Sequence, residues 1–347
     1  MKRIIICFDG TWDHPEENPV SNTNVLKMYN AVDKKDSNGI KQIKWYDPGV
    51  GTNWYDKIPG GIAGVGLSEN IKQGYRNLAK LYEEGDEVFV WGFSRGAYTA
   101  RSLVGLIRNC GLIKKNYANS DNVNYAYSIY RTRDESADTS QAIMFREKYS
   151  RMIEIKFLGV WDTVGALGIP FKSFGFFNRA FYEFHDVELS SIVKNAFHAV
   201  AIDEHREIFN VTLWDPKTKP NQRMEQVWFV GSHADVGGGY TTQGGIQLST
   251  ITLEWIMNKA ESCGLQFTGI PKAQSLLNCT VIPITNSRIG IYGLEKSINR
   301  GIGFTLYGNE AIHSSVNDLI RSPASYRPEN DVSKSLKYQF ATVEELN

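Results

Sequence analysis

Four segments of the chain share one pattern, in which an apolar, β-branched or aromatic run stops abruptly at small and chemically active residues. They are Arg3–Phe8 before Asp9-Gly10-Thr11, Glu87–Trp91 before Gly92-Phe93-Ser94, Ile155–Trp161 before Asp162-Thr163-Val164-Gly165, and Gln226–Val230 before Gly231-Ser232-His233-Ala234-Asp235. Apolar runs without alternation are strands buried on both faces, as in a parallel sheet covered by helices. Ligands of such sheets gather at the carboxyl ends of the strands. The pattern therefore predicts that all four chemistry-bearing ends converge on one edge. Between the strands, helical spacing recurs in Ala97, Ala100, Val104 and Ile107, in Ile192, Val193, Ala196 and Val200, and over Leu248–Gly264, whose terminal glycine suits a C-cap. Strand-helix alternation predicts an α/β class with a mostly parallel sheet.

Two stretches interrupt this grammar. Segment 117–148 is polar and tyrosine-rich, and 169–184 carries seven aromatics, from Phe171 to Phe184. Both are read as insertions in one domain spanning residues 1–347, the second as a lid, with a weakly patterned tail from about residue 323. The composition, 42% hydrophobic and 22% charged, is that of a folded globular protein. Lys+Arg and Asp+Glu balance at 38 each, so no basic excess exists to recruit nucleic acid by counterion release. The four cysteines are scattered without metal or disulfide spacing and read as reduced thiols. The first apolar run is too short for a signal peptide, and no stretch reaches membrane-span length. The expectation is a chain made as a soluble cytoplasmic protein, with export by a signal-independent route left open.

Gly92-Phe93-Ser94-Arg95-Gly96 matches G-x-S-x-G, the turn from strand to helix that presents a nucleophilic serine in α/β-hydrolases. Side chains at the two glycine positions would collide with neighbouring elements, and the flanking segments read as the required strand and helix. A serine hydroxyl needs a base oriented by an acid. Of six histidines, His233 sits just past a strand among glycines, whereas His198 lies within the apolar run Phe197–Val200 and reads as a hydrogen-bonded core residue. For the acid, Asp162 ends its strand as abruptly as Ser94 and His233 end theirs. Asp203 is the alternative, although Glu204 and Arg206 beside it suggest an ion-paired turn, and Asp235 is read as a brace for the His233 loop. The oxyanion donors are expected from the amides of Arg95 and of Gly10 or Thr11, with Asp9 fixing that loop.

The blocks FDGTWD from Phe8, TNV from Thr23, YDPGVGT from Tyr46, GFSRGAYTAR from Gly92, FLGVWDTVGALG from Phe157, HAVAIDEHR from His198 and GSHADVGGGY from Gly231 resemble the DUF2235 family. That family is the catalytic region of Tle1-type phospholipase effectors of bacterial type VI secretion. The resemblance implies an α/β-hydrolase fold, a Ser-Asp-His triad matching Ser94, Asp162 and His233, and lipase or phospholipase activity. It also implies a lipid ester substrate, peripheral membrane contact and partner proteins of a secretion or conflict system. No cofactor or metal is expected for a serine esterase. Two other readings stay open: a non-catalytic binding or sensing module on the same scaffold, and metal-dependent hydrolysis by Asp9, Asp162, His233 and Asp235.

Overall fold

A computed structural model describes residues 1–10, 22–49, 61–132, 139–165, 188–215, 217–240, 246–288, 296–303 and 310–330. Its centre is a sheet of seven strands: β1 (Arg3–Phe8), β2 (Gln42–Asp47), β3 (Glu87–Phe93), β6 (Phe157–Trp161), β7 (Asn195–Ala201), β8 (Arg223–Phe229) and β9 (Glu310–Ile312). Two short strands, β4 (Leu112–Ile113) and β5 (Ser150–Arg151), pair antiparallel outside it. The seven run in the order β2-β1-β3-β6-β7-β8-β9, and every neighbouring pair is parallel. The carboxyl ends of the four predicted strands therefore lie on one edge.

Alternation along each strand divides the core in two, because successive side chains point to opposite faces. Ile4, Ile6, Val88, Val90, Leu158 and Val160 face one cluster, and Ile5, Cys7, Phe89, Trp91, Phe157 and Trp161 face the other. Helices α2 (Gly61–Leu81), α3 (Arg95–Cys110), α4 (Ser120–Arg131) and α5 (Ser140–Tyr149) cover the first face. Helices α1 (Asn24–Ala31), α7 (Ser249–Ser262) and α8 (Ser314–Arg321) cover the second, and a short helix α6 (His233–Gly237) caps the edge where β8 ends. This is an α/β fold with a buried parallel sheet.

The helix expected around Ile192–Val200 is instead strand β7, buried from Ala196 onward and paired along its length with β8. A strand buried on both faces leaves an apolar run that spacing alone does not distinguish from helix. Within segment 117–148, α4 and α5 bury Val123, Ala126, Ile129 and Phe145 in the first cluster. The aromatic segment 169–184 and the tail beyond residue 330 lie outside the described residues. Before that point Tyr326 is buried and Asn330 donates its side-chain amide to the Ile202 carbonyl.

Candidate active site

Ser94 stands between β3 and α3 with φ 58° and ψ −122°, a conformation that a non-glycine residue adopts only when its surroundings enforce it. The flanking glycines make that turn close. A Cβ on Gly96 would sit 2.2 Å from the Phe8 carbonyl oxygen at the end of β1, and one on Gly92 would sit 2.4 Å from the Gly96 carbonyl oxygen. The elbow thus packs against the neighbouring strand through bare backbone. Ser94 is not open at the surface, being only 4% exposed.

His233 opens α6 one residue after the Ser232 cap, and its ring lies between Phe93 and Phe209, at centroid distances of 4.6 and 4.8 Å. Its Nε2 is 2.8 Å from Ser94 Oγ, and its Nδ1 is 2.6 Å from Asp162 Oδ2. An ionised carboxylate only accepts, so Nδ1 carries the proton and Nε2 receives the serine hydroxyl. Burial lowers the His233 pKa more than the Asp162 carboxylate raises it, which keeps the ring neutral and able to act as a base.

Asp162 follows β6 directly, fully buried and with φ 38°. Its Oδ1 accepts from the Ala201 amide at 2.9 Å and from Arg300 at 2.6 Å, and its Oδ2 accepts from Arg300 at 3.0 Å as well as from His233. Burial alone would raise this carboxyl, but the Arg300 charge and the His233 N–H outweigh it and hold the group well below the ordinary carboxylate value. The next residue, Thr163, donates its amide to His198 Nε2 at 3.1 Å. His198 is buried in β7, and burial followed by the Arg101 charge lowers its pKa to about 3, so it stays a neutral acceptor. It braces the Asp162 turn and sits in the core, as its apolar neighbours suggested.

The alternative acid, Asp203, has other partners: it accepts from the Gly231 amide at 2.7 Å and from the Tyr326 hydroxyl at 2.7 Å. Glu204 is fully buried, pairs with Arg206 at 2.7 Å and accepts from the His233 amide at 3.2 Å, so the turn is ion-paired and holds the histidine's backbone. Asp235 accepts from the Ser232 amide and the Thr285 hydroxyl, tying α6 to a later loop. Arg95 is the first residue of α3, where the first amides of a helix lack intrahelical partners and point toward the N-terminus. The Gly10 amide donates to Asp9 Oδ1 at 2.7 Å, and Asp9 Oδ2 accepts from Thr23 and Tyr46, both at 2.6 Å. Thr11 lies outside the described residues. Among the described residues no three His, Cys, Asp or Glu side chains are grouped to hold a metal ion, and Asp9, Asp162 and Asp235 are each engaged by the donors just named. Among the same residues no helix is long and apolar enough to cross a membrane.

Arg300 is the site residue that the sequence reading missed. It lies in Ser297-Ile298-Asn299-Arg300-Gly301, a segment without periodicity or motif, and nothing local marks it.

Residues 2–259 match the family model described as T6SS, phospholipase effector Tle1-like, catalytic domain. The uncharacterized protein YEL023C of Saccharomyces cerevisiae is 30% identical over 239 residues, which is 62% of this chain and 33% of that protein. Among solved structures, an uncharacterized Pseudomonas aeruginosa protein aligns with TM-score 0.49 at 18% identity, over 77% of this chain and 46% of its own. The Tle1 effector bound to the VgrG spike of the type 6 secretion system aligns with TM-score 0.40 at 20% identity, over 70% of this chain and 52% of its own. The chain thus spans about a third of the yeast relative and about half of the two solved structures. With residues 2–259 of 347 matched, the chain belongs to the Tle1-like phospholipase effector catalytic-domain family.

Proposed function

We propose that this chain is a serine hydrolase that cleaves carboxyl esters of lipid-like substrates, with Ser94 as nucleophile, His233 as base and Asp162 as the acid that orients it. The observation that carries the reading is the unbroken hydrogen-bonded line from Ser94 Oγ through His233 to Asp162. In that line Ser94 Oγ attacks the acyl carbon while its proton passes to His233 Nε2. The resulting imidazolium is stabilised by Asp162 and returns the proton to the leaving alcohol oxygen. A water molecule then hydrolyses the acyl-serine by the same relay, with His233 as base for the water and Ser94 as leaving group.

The developing oxyanion would be held by the Arg95 amide at the positive end of α3 and by a second amide from the end of β1. Gly10 supplies the second only on leaving Asp9 Oδ1, to which its amide donates; otherwise Thr11 does. The preference for lipid-like acyl groups rests on the family and on the aromatic sequence from Phe171 to Phe184. Peripheral contact with a membrane and a partner from a secretion system are expected on the same family basis.

A fluorophosphonate label and an ester panel running from acetyl to long-chain phospholipid substrates test the reading on wild type and Ser94→Ala. Labelling at Ser94 is expected, with a loss of turnover on the order of 10⁴ or more in the variant. A Ser94→Ala protein retaining a tenth of the wild-type rate would remove the nucleophile assignment. Activity falling steadily from the acetyl ester upward would remove the lipid preference.

A further inference from the structure

Asp162 is gripped at both carboxylate oxygens by a guanidinium from far along the chain. We infer that Arg300 is a positioning residue of this site: it fixes the plane of the Asp162 carboxylate and sets the pH below which His233 no longer accepts the serine proton. The inference rests on reading Ser94, His233 and Asp162 as a catalytic triad.

The geometry is a two-pronged fork, with one terminal nitrogen of Arg300 2.6 Å from Oδ1 and the other 3.0 Å from Oδ2. With the Ala201 amide and the His233 ring, it fills all four acceptor directions of the carboxylate, so the group has no rotation left. The fork is itself anchored: the same two nitrogens donate to the carbonyls of Ala201 at 2.8 Å and Phe209 at 2.5 Å. The backbone behind it is tied at Ser297 to Arg206 and at Ile298 to His205. Both charged side chains are wholly buried. A buried ion pair is no net gain over apolar packing of the same volume, so stability alone does not account for it. Arg300 also lies beyond residues 2–259, the part of the chain that the family model matches.

The electrical consequence has a definite sign. The charged groups that act on His233 are Asp162 at the end of β6 and Glu204 and Arg206 in the turn after β7, and Arg300 offsets the two acids from behind, through its contact with Asp162 and its charge near Glu204. Removing the Arg300 charge leaves a net negative surrounding, which favours the imidazolium and makes Asp162 a stronger base. The acid limb of the rate profile then moves to higher pH.

Arg300→Met and Arg300→Lys test this, with turnover of a soluble ester measured across the acid-to-neutral range and normalised to the fraction of Ser94 that a fluorophosphonate labels. Arg300→Met is expected to lose about tenfold or more in turnover and to shift its acid limb upward by about half a pH unit or more. Arg300→Lys is expected to keep the limb closer to wild type yet lose turnover, because an ammonium does not grip both oxygens. If both variants match wild type per labelled site, the inference is overturned whatever their melting temperatures. If Arg300→Met does not accumulate folded, Arg300→Lys decides by its turnover and by the downfield proton resonance of His233 Nδ1–H: a moved resonance with lower turnover supports the inference, and an unchanged pair overturns it. Undiminished hydrolysis by Ser94→Ala would overturn the triad itself, whereas an inactive Ser94→Ala beside unchanged Arg300 variants overturns the Arg300 role alone.

Discussion

Arg300 changes what substitution of the acid should do. An amide at position 162 preserves the shape of the carboxylate but loses its charge, which costs a triad its correctly oriented tautomer and roughly 10³ or more in turnover. Here the same change leaves a fully buried guanidinium without its counter-charge, and breaking a buried pair costs about 3–5 kcal/mol. Asp162→Asn is therefore expected to be both inactive and clearly less stable. Asp203→Asn keeps a side-chain oxygen for the Gly231 amide and is expected to lose about 1–2 kcal/mol while remaining active. Turnover per labelled site and urea midpoints of the two proteins check this, and an active Asp162→Asn beside a folded, inactive Asp203→Asn would transfer the acid's role. The candidates Ser94, Asp162 and His233 stood out in the sequence because each closely follows an apolar run and one carries the elbow motif, and the structure brings their side chains into hydrogen-bond contact. Arg300 was not, because its partner is 138 residues away and a long-range ion pair leaves no local trace.

At the scale of elements, Asp9 joins three of them: it directly follows β1, accepts from Thr23 at the cap of α1, and accepts from Tyr46 in β2. Burial raises its carboxyl from the ordinary 3.8 to about 6, against the opposing hydrogen bonds from Thr23, Tyr46 and the Gly10 amide. Because the folded pKa lies above the unfolded one, the stability tied to the protonated form is fully present below about pH 4. It is lost as pH rises through about 6, a total of roughly 3 kcal/mol. The stability difference between wild type and Asp9→Asn is thus expected to shrink between about pH 4 and 6 and then level off. Denaturation curves of both proteins over that range decide it, and parallel pH dependences would show that Asp9 is already ionised. The strand ends were legible for a physical reason: parallel strands buried on both faces read as unbroken apolar runs. β7 was misread because Ile192, Val193, Ala196 and Val200, leading into and along it, fit helical spacing equally well. β2 is half-buried and β9 has three residues, too little pattern to find.

At the scale of the molecule, the candidate site crosses the middle of the sheet. Ser94 comes from β3, Asp162 from the adjacent β6, and His233 from the end of β8, with β7 between them. Beyond β8, Glu310 of β9 accepts from the buried Trp228 indole at 2.7 Å, so the last strand holds the one that delivers the histidine. A chain shortened to end at residue 295 loses both Arg300 and β9. It is expected to lose more than about 3 kcal/mol and nearly all fluorophosphonate reactivity, despite keeping every residue of the family match. Calorimetry and labelling of the shortened chain test this, and a stable, labelled product would show that the matched region is self-sufficient. The reach from Ser94 to Arg300 has a further consequence in time. Synthesis runs from the amino end, so a growing chain carries its serine long before the guanidinium that completes the line behind it. Roughly 200 residues of translation, at about 5–20 residues per second, separate the two. Under the proposed function, the hydrolytic centre closes only after residue 300 has been made, long after its nucleophile.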